Sequence, residues 1–475
     1  MSSKTDLQNI AKNLENHSQQ HILAFFDDLS DPQKHSLLDQ IDQLDLNQID
    51  KWVAKYIKSD SPSDIPADFQ PAISYPPLPE TSQEATKYEK AISLGEKLIA
   101  DGKVAAFVVA GGQGTRLGFD GPKGNFPATP IKNKTLFQLF AEIIAATNKK
   151  FNTACPWYIM TSPLNHTETV DTFKSRGYFG LDKGDIFIFQ QGTNPNFGFD
   201  GRILMTEKDT IATSPDGHGG SLKALYKSGA VAHMKKRRIE LLSYFQVDNP
   251  LINIFDPLFI GLHALDNAEM SSKAVVKTGP LEKVGNFCLV DGKVTVIEYS
   301  DLPDETAKKT NPDGSLVFAL GSIAIHTIST VFIERLNARG FALPMHKAVK
   351  KIPHIDDNGR PITPAEPNGI KLESFVFDAL PLAKESVILQ TQRQQEFAPI
   401  KNASGVDSAE TSRQMQIDRA ADWLESAGIA IPRKPDGTAD CILEIAPSFA
   451  LYKEDIAQKL HLIPEIKAGQ AVYLE

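Results

Sequence analysis

The feature that constrains this chain most is a series of short apolar runs separated by helix-like stretches. The runs lie at 104–110, 157–160, 186–189 and 241–247, with a helix-like stretch at 136–147 between the first two. Short, continuous apolar runs that alternate with helices are typical of a mainly parallel sheet sandwiched between helices. We therefore predict an α/β fold whose ligands bind beyond the carboxyl ends of the strands, where polar residues follow each run.

Two further segments are predicted on either side of the region where apolar runs and helix-like stretches alternate. Residues 1–94 show apolar residues at helical spacing and then a stretch rich in proline, serine and aspartate at 59–79. We interpret them as a helical N-terminal lobe with an extended connector. Residues 95–398 form the predicted central domain, and 399–475 form a small C-terminal lobe with short strands.

Charge and cysteine content exclude several classes of protein. The 475 residues include 50 Lys and Arg against 59 Asp and Glu, a net charge of −9. That balance argues against a dedicated binder of nucleic acid or of anionic membranes. No apolar run approaches the roughly 20 residues that span a bilayer, and the N-terminus lacks a secretion signal, so we expect a cytoplasmic protein. Three distant cysteines, Cys155, Cys288 and Cys441, fit neither a zinc site nor a disulfide framework, so we expect each to be buried.

The strongest local signal is a glycine-rich stretch directly after the first apolar run. Four glycines lie between 110 and 118, and Pro-Lys-Gly follows at 122–124. Glycines let main-chain N–H groups approach a phosphate, and Arg116 and Lys123 would add positive charge there. The alternative is a tight turn with solvated basic residues, but the density of glycine and charge favours phosphate. The predicted loop residues are Ala110, Gly111, Gly112, Gln113 and Gly114.

Two common nucleotide-binding motifs do not match this loop. The dinucleotide fingerprint requires a glycine where Leu117 stands, and the P-loop ending is absent because Lys123 lies between Pro122 and Gly124. A nicotinamide oxidoreductase is therefore not indicated.

Polar residues after later strands extend the candidate site. Asp248 closes the run at 241–247, so its carboxylate would stand at the ligand edge of the sheet. A carboxylate that faces a polyphosphate requires a cation between them, and Mg²⁺ prefers oxygen ligands. Gln191 offers one amide donor and one acceptor to a base or ribose, and Glu298 could accept two hydroxyl hydrogen bonds. The alternative for each is an ordinary polar residue at the end or on the exposed face of a strand.

These motifs resemble those of the eukaryotic-type UDP-sugar pyrophosphorylases, specifically the UDP-N-acetylglucosamine pyrophosphorylase branch. The resemblance implies a Rossmann-like, mixed but mainly parallel nucleotidyltransferase sheet with helices on both faces. It implies that the chain joins UTP to a sugar 1-phosphate and releases pyrophosphate, with Mg²⁺ as cofactor. The matching stretches lie at 111–118, 122–124, 157–162, 178–181, 189–192, 215–220, 246–249, 296–300, 367–371, 375–378 and 397–402.

The resemblance also implies a role for each matching residue. It implies that Arg116, Lys123 and Lys401 act in catalysis and that Asp248 holds the metal. Nucleotide-binding residues are the loop Ala110 to Gly114 with Gln191, Gly217, Asp248 and Lys371. Sugar-binding residues are His218, Glu298, Tyr299, Ser322 and Lys401.

Two departures from the family pattern concern the sugar. His218 stands where many N-acetylglucosamine enzymes have asparagine and glucose-specific relatives commonly have histidine, and Ser322 replaces an asparagine associated with sugar binding. The motif set as a whole favours N-acetylglucosamine 1-phosphate. Glucose 1-phosphate is the alternative substrate, and a non-catalytic sensor of UDP-sugars is the alternative from another class.

Overall fold

The computed structural model describes residues 4–59, 66, 68–338, 340–341 and 343–475. The helix-like stretch at 136–147 lies within a helix that begins at Leu136. The side chain of Thr135 accepts a hydrogen bond from the N–H of Gln138 at the start of this helix. The α-helices are α1 Lys4–Asn16, α2 Asp31–Asp42, α3 Leu46–Trp52, α4 Ser82–Ala100, α5 Leu136–Phe151, α6 His166–Ser175, α7 Gly220–Lys227, α8 Ala230–Lys236, α9 Pro257–Leu265, α10 Asp304–Ala307, α11 Thr330–Ala338, α12 Arg393–Glu396 and α13 Ala409–Ser426.

All four apolar runs of the sequence form strands, and short strands occur near the C-terminus, as predicted. Part of the predicted connector, 60–65 and 67, lies outside the described residues. The strands are β1 Gln70–Pro71, β2 Val104–Val109, β3 Trp157–Thr161, β4 Ile186–Gln190, β5 Thr193–Pro195, β6 Phe197–Gly198, β7 Met205–Glu207, β8 Thr210–Ile211, β9 Thr213–Pro215, β10 Leu241–Gln246, β11 Met270–Val276, β12 Asn286–Val290, β13 Lys293–Ile297, β14 Leu320–Ser329, β15 His346–Lys350, β16 His354–Ile355, β17 Pro361–Ile362, β18 Gly369–Glu373, β19 Ile388–Gln390, β20 Ile442–Ile445 and β21 Ala471–Leu474.

The larger of two compact units draws its described residues from 66–191, 221–341 and 377–475, and it contains a ten-stranded sheet. Four neighbouring strands, in the order β10-β2-β3-β4, are parallel. Every residue of β2 is buried, because helices cover both faces of such a sheet. The α/β prediction is confirmed, and the carboxyl ends of these four strands lie at one edge.

Antiparallel strands extend the sheet beyond β10. Strand β14 pairs with β10 and β11, and β12 pairs with β14, β13 and the short edge strand β1. The sheet is therefore mixed, and the β12–β13 hairpin places the end of β13 beside the start of β12.

Helices α4 and α9 in this unit approach each other through glycine. A Cβ on Gly95 would lie 1.9 Å from the carbonyl oxygen of Pro257, and one on Gly261 would lie 1.7 Å from that of Ala91. Any larger residue at either position would force the two backbones apart.

The smaller unit takes its described residues from 4–59, 192–220 and 343–376. Leu14, Leu37 and Ile49 of its helices share an apolar cluster with Phe197 and Ile370 of its strands. Packing thus joins stretches that are far apart in sequence, because the apolar faces of α1–α3 are covered by strands from later in the chain. The linear division at 94/95 and 398/399 stays a prediction.

Residues near the C-terminus of the larger unit form a cluster of their own. Helix α13 and strands β20 and β21 share a buried apolar cluster that includes Leu424, Leu443 and Val472. The prediction that the cysteines are buried is confirmed for Cys155, Cys288 and Cys441.

Candidate functional site

The glycine-rich loop follows β2 at the ligand edge of the parallel strands and folds back on itself. The N–H of Gly114 donates to the carbonyl of Gly121 at 2.9 Å, and the N–H of Lys123 donates to the carbonyl of Gly112 at 3.1 Å. These two bonds fix the loop and bring Lys123 back to the end of the strand that precedes it.

Main-chain donors at the start of this loop remain available. Within the described part of the chain, the N–H groups of Gly111, Gly112 and Gln113 make no backbone hydrogen bond. Successive unpaired N–H groups in a glycine turn form a concave, positively polarised surface that suits an anion. The backbone of the loop is therefore chemically suited to bind an anion, and its role in phosphate binding stays a prediction.

The glycine at position 111 lets the loop pack closely against the side chain of Gln191. A Cβ there would lie 2.4 Å from Oε1 of Gln191. Gln191 follows β4, its side chain is 9% exposed, and its N–H donates to the carbonyl of Thr161 at 2.8 Å. The structure thus brings together Gln191 and the loop, two elements predicted separately.

Asn165 organises the loop, and our reading of the sequence missed it. Its Nδ2 donates to the carbonyls of Ala110 and Gly112 at 2.9 and 3.2 Å, and its Oδ1 accepts from the N–H of Ser162 at 2.8 Å. Asn165 is only 1% exposed. Its signal in the sequence is its place shortly after β3, at the same edge of the sheet.

Lys123 and Asp248 face each other across this edge. Nζ of Lys123 lies 3.4 Å from Oδ2 of Asp248, and the two side chains are 15% and 17% exposed. The register of β10 against β2 pairs Gln246 with Val109, so Asp248 lies beside the end of β2, to which the loop returns Lys123. The ammonium can bind phosphate oxygens beside the anion-binding loop, whereas the carboxylate can approach a polyphosphate only through a cation.

Lys401 is tied to the same edge through its neighbour. The N–H of Ile400 donates to the carbonyl of Asp248 at 2.9 Å. The side chain of Lys401 is half-exposed, with its Nζ 3.7 Å from Oδ2 of Asp407. Arg116 is exposed in the loop, and no described carboxylate forms an ion pair with it. Both cations can therefore turn toward an anionic ligand.

Three other predicted residues lie at the β12–β13 hairpin and the adjoining strand. The N–H of Ser322 donates to the carbonyl of Gly285 at 2.8 Å, and a Cβ on Gly285 would lie 3.1 Å from Oε1 of Glu298. Tyr299, the next residue, is 46% exposed. The structure therefore brings Glu298 and Ser322 together around Gly285, which provides hydroxyl and carboxylate groups for a polyol.

The remaining predicted residues belong to the smaller unit. Gly217 has a φ of +84°, and a Cβ there would lie 2.3 Å from the carbonyl oxygen of Ser374. Lys371 is half-buried on β18, opposite Ala348 of β15. The residue that follows β18, Ser374, leaves no room for a side chain at position 217, and β18 itself carries Lys371.

His218 is held in one orientation within that unit. Its Nδ1 accepts the N–H of Val376 at 3.1 Å, and its ring stacks on Phe375 with centroids 5.1 Å apart. His346 stacks on Phe375 too, at 4.2 Å. Burial, and then the neighbouring His346, lowers the pKa of His218 to about 4. The ring is therefore neutral at neutral pH, and because Nδ1 accepts, its proton is on Nε2.

A metal site made only of protein side chains does not occur in the described residues, since no three His, Cys, Asp or Glu side chains cluster there. Asp248 alone suits an ion that takes its other ligands from phosphate oxygens and water, which is the usual coordination of Mg²⁺. Among the described helices, none is long and apolar enough to cross a membrane.

Comparison with known families gives one match that spans most of the chain. The family described as UTP–glucose-1-phosphate uridylyltransferase matches residues 59–467. This match includes the glycine-rich loop, Asp248 and Lys401.

Individual relatives are similar over most of their own length. A protein of Xenopus tropicalis named UDP-N-acetylhexosamine pyrophosphorylase-like protein 1 is 36% identical over 431 residues, 87% of this chain and 84% of that one. The UDP-N-acetylglucosamine pyrophosphorylase of Saccharomyces cerevisiae is 37% identical over 398 residues, 80% of this chain and 82% of that one. The crystal structure of the uridine diphosphate N-acetylglucosamine pyrophosphorylase of Trypanosoma brucei in complex with an inhibitor superposes with a TM-score of 0.82, at 26% identity. That alignment covers 100% of this chain and 99% of the other.

Proposed function

This chain belongs to the UTP–glucose-1-phosphate uridylyltransferase family, and we propose that the acceptor of its uridylyl group is N-acetylglucosamine 1-phosphate. The chain is a nucleotidyltransferase that makes a UDP-sugar and pyrophosphate from UTP and a sugar 1-phosphate. The names of the relatives at 36% and 37% identity, which refer to N-acetylated sugars, support this choice of sugar.

The reaction requires positioning and charge compensation. An oxygen of the sugar phosphate attacks the α-phosphorus of UTP, a new P–O bond forms, and the bond to the β-phosphate breaks as pyrophosphate leaves. The attacking oxygen is already anionic, so no general base is needed. The main barrier is the repulsion between two polyanions, which an enzyme lowers by holding them in line and by placing cations around them.

The observation that carries the proposed mechanism of uridylyl transfer is the Lys123–Asp248 pair beside the glycine-rich loop. The unpaired N–H groups of the loop would bind phosphate oxygens of UTP, and Gln191 would contact the uracil base. Lys123 and Arg116 would stabilise the charge that develops on the leaving pyrophosphate. We propose that Lys401 and Lys371 bind the phosphates of the acceptor and of the α-position, as the family resemblance implies.

Asp248 would hold Mg²⁺, which supplies positive charge that offsets the phosphates when it is bound. Nζ of Lys123 donates to Oδ2 of Asp248 at 3.4 Å. The Asp248 carboxylate would supply one protein ligand, which suits an ion held mainly by substrate oxygens.

Two residues favour glucose 1-phosphate as the competing substrate. His218 offers one N–H donor from Nε2 where an asparagine would offer an amide with both a donor and an acceptor. Ser322 has a shorter side chain than the asparagine it replaces.

A sensor without catalysis would be expected to lose some of its charged positions, yet Arg116, Lys123 and Asp248 are all present.

The deciding experiment measures pyrophosphate release from UTP and Mg²⁺ with N-acetylglucosamine 1-phosphate and glucose 1-phosphate in parallel. We expect kcat/KM to be at least tenfold higher for the acetylated sugar, a preference of about 1.4 kcal/mol. A preference for glucose 1-phosphate would refute the proposed sugar and would identify His218 and Ser322 as its determinants. UTP binding without pyrophosphate release from either sugar phosphate would favour the sensor.

Gly111→Ala should weaken the binding of UTP while the protein still folds. In Gly111→Ala the new methyl group would overlap Oε1 of Gln191, so the loop or the glutamine must move. We expect KM for UTP to rise at least tenfold, which corresponds to about 1.4 kcal/mol of binding, while KM for the sugar phosphate changes little. Initial-rate kinetics with each substrate varied would measure this, and Gly279→Ala is the control because its Cβ would have no neighbour within 4 Å and its φ lies outside the left-handed region. Equal KM values for UTP in the two variants would contradict the assignment of the loop.

A further inference from the structure

A buried lysine without a carboxylate partner lies behind the Gly285–Ser322 contact. Lys277 follows β11, its side chain is 6% exposed, and no described carboxylate lies within 4 Å of its Nζ. Its stem packs against Gly321, where a Cβ would lie 3.4 Å from Cγ of Lys277. Lysines this buried ordinarily pair with a carboxylate, because an unpaired buried charge costs free energy. The position of Lys277 therefore calls for an explanation.

The ionisable groups near Lys277 compensate its burial only in part. The carboxylate of Glu282 is occupied by Arg393 at 2.6 Å and by the N–H of Thr278 at 2.6 Å. Burial raises the pKa of Cys288 to about 12, so its thiol carries no charge. Burial lowers the pKa of Lys277, and the charge of Glu282 offsets that shift only in part.

The ammonium of Lys277 donates hydrogen bonds to neutral acceptors instead. Its Nζ donates to Oδ1 of Asn286 at 2.6 Å and to the carbonyl of Pro280 at 3.3 Å. Asn286 is 2% exposed, and its Nδ2 donates to the carbonyl of Ile297 at 3.3 Å. Lys277 thus fixes which way the Asn286 amide points, since Oδ1 faces the ammonium and Nδ2 faces the opposite strand.

Asn286 lies between the two halves of the proposed sugar pocket. It directly follows Gly285, whose carbonyl accepts the N–H of Ser322, and the carbonyl that it binds belongs to Ile297, the residue before Glu298. A shift of Asn286 would therefore move the backbone of Gly285 and Glu298 together.

We propose that Lys277 is a positioning residue for the sugar phosphate pocket, which acts through Asn286 on Gly285 and Glu298. The proposal rests on the proposed function, in which Glu298 and Ser322 contact the sugar. Lys277 itself touches no reacting atom. Its effect should appear in the binding of the sugar phosphate and not in the binding of UTP, whose loop lies at the end of β2.

The test compares Lys277→Met with Lys283→Met, an exposed lysine on the same segment. We expect Lys277→Met to raise KM for N-acetylglucosamine 1-phosphate about tenfold, the cost of one lost charge-assisted hydrogen bond, with KM for UTP within twofold. Lys283→Met should change neither. If Lys277→Met does not fold, Lys277→Gln keeps an amide donor for Asn286 and should show a smaller change in the same KM.

A double-mutant cycle tests the route through Asn286. If Lys277 acts through that residue, Lys277→Met with Asn286→Ala should raise KM for the sugar phosphate no more than the larger single change does. Additive effects would overturn the proposal, and so would an equal rise in the two KM values.

Glu298→Gln separates this inference from the proposed function. If Glu298→Gln weakens use of the sugar phosphate and Lys277→Met does not, only the role of Lys277 fails. If neither change matters, the proposed sugar site fails as well.

Discussion

Lys123→Ala is expected to lower kcat/KM for pyrophosphate release by about 10²–10³, equivalent to about 2.7–4 kcal/mol of transition-state stabilisation. The ammonium of Lys123 is held at the ligand edge by the backbone bond to Gly112 and by Asp248 at 3.4 Å. Negative charge develops on the leaving pyrophosphate, and a preorganised cation interacts more strongly with the transition state than with bound UTP. Removing it also leaves the Asp248 carboxylate facing the phosphates without its cation.

The control for this variant is Lys174→Ala. Lys174 is an exposed lysine that lies 3.8 Å from Asp171, an ion pair of the kind that contributes little to stability. We expect its kcat/KM to equal that of the unaltered protein. Steady-state kinetics and a thermal unfolding curve for both variants would separate lost catalysis from lost folding. Near-full turnover of a folded Lys123→Ala protein would remove Lys123 from the mechanism.

Lys273→Met is expected to cause the largest loss of stability of any change considered for this chain. Lys273 is 1% exposed, and its Nζ binds Oδ2 of Asp256 at 2.6 Å and both carboxylate oxygens of Glu396. Burial by itself lowers the pKa of Lys273, but the two carboxylates outweigh it and raise that pKa. Replacing the lysine leaves two carboxylates close together without a cation. Breaking a buried pair in this way costs about 3–5 kcal/mol of unfolding free energy.

Chemical denaturation followed by circular dichroism would measure this loss, and Lys308→Met is the matched control. Lys308 pairs with Asp304 on the surface at 2.9 Å, so its removal should cost at most about 1 kcal/mol. The double change Lys273→Met with Glu396→Gln should recover part of the loss, because one of the two unpaired charges is then gone. If Lys273→Met and Lys308→Met shifted the midpoint equally, the buried cluster would not have the stabilising role assigned to it.

Local pattern was sufficient for much of the candidate site. The glycine-rich loop, Gln191 and Asp248 each follow an apolar run, and parallel strands bring the residues after their carboxyl ends to one edge. Asn165 follows the same rule, but its role depends on hydrogen bonds to two loop carbonyls that pattern alone does not reveal. Lys277 has no motif, and only the burial of its ammonium sets it apart from other lysines.

The sequence by itself determined the class of fold, the strands of the parallel sheet and the location of the glycine-rich loop, because these depend on periodicity and on residues adjacent in the chain. The tertiary structure decided what depends on contacts between distant segments. Examples are the joining of 4–59 to 192–220 and 343–376, the contact of Gly95 with Pro257, and the cluster of Lys273 with two carboxylates. No local pattern specifies these contacts. Each one requires an apolar face or a charged group from a distant part of the chain, and the local sequence does not show which part will pack there.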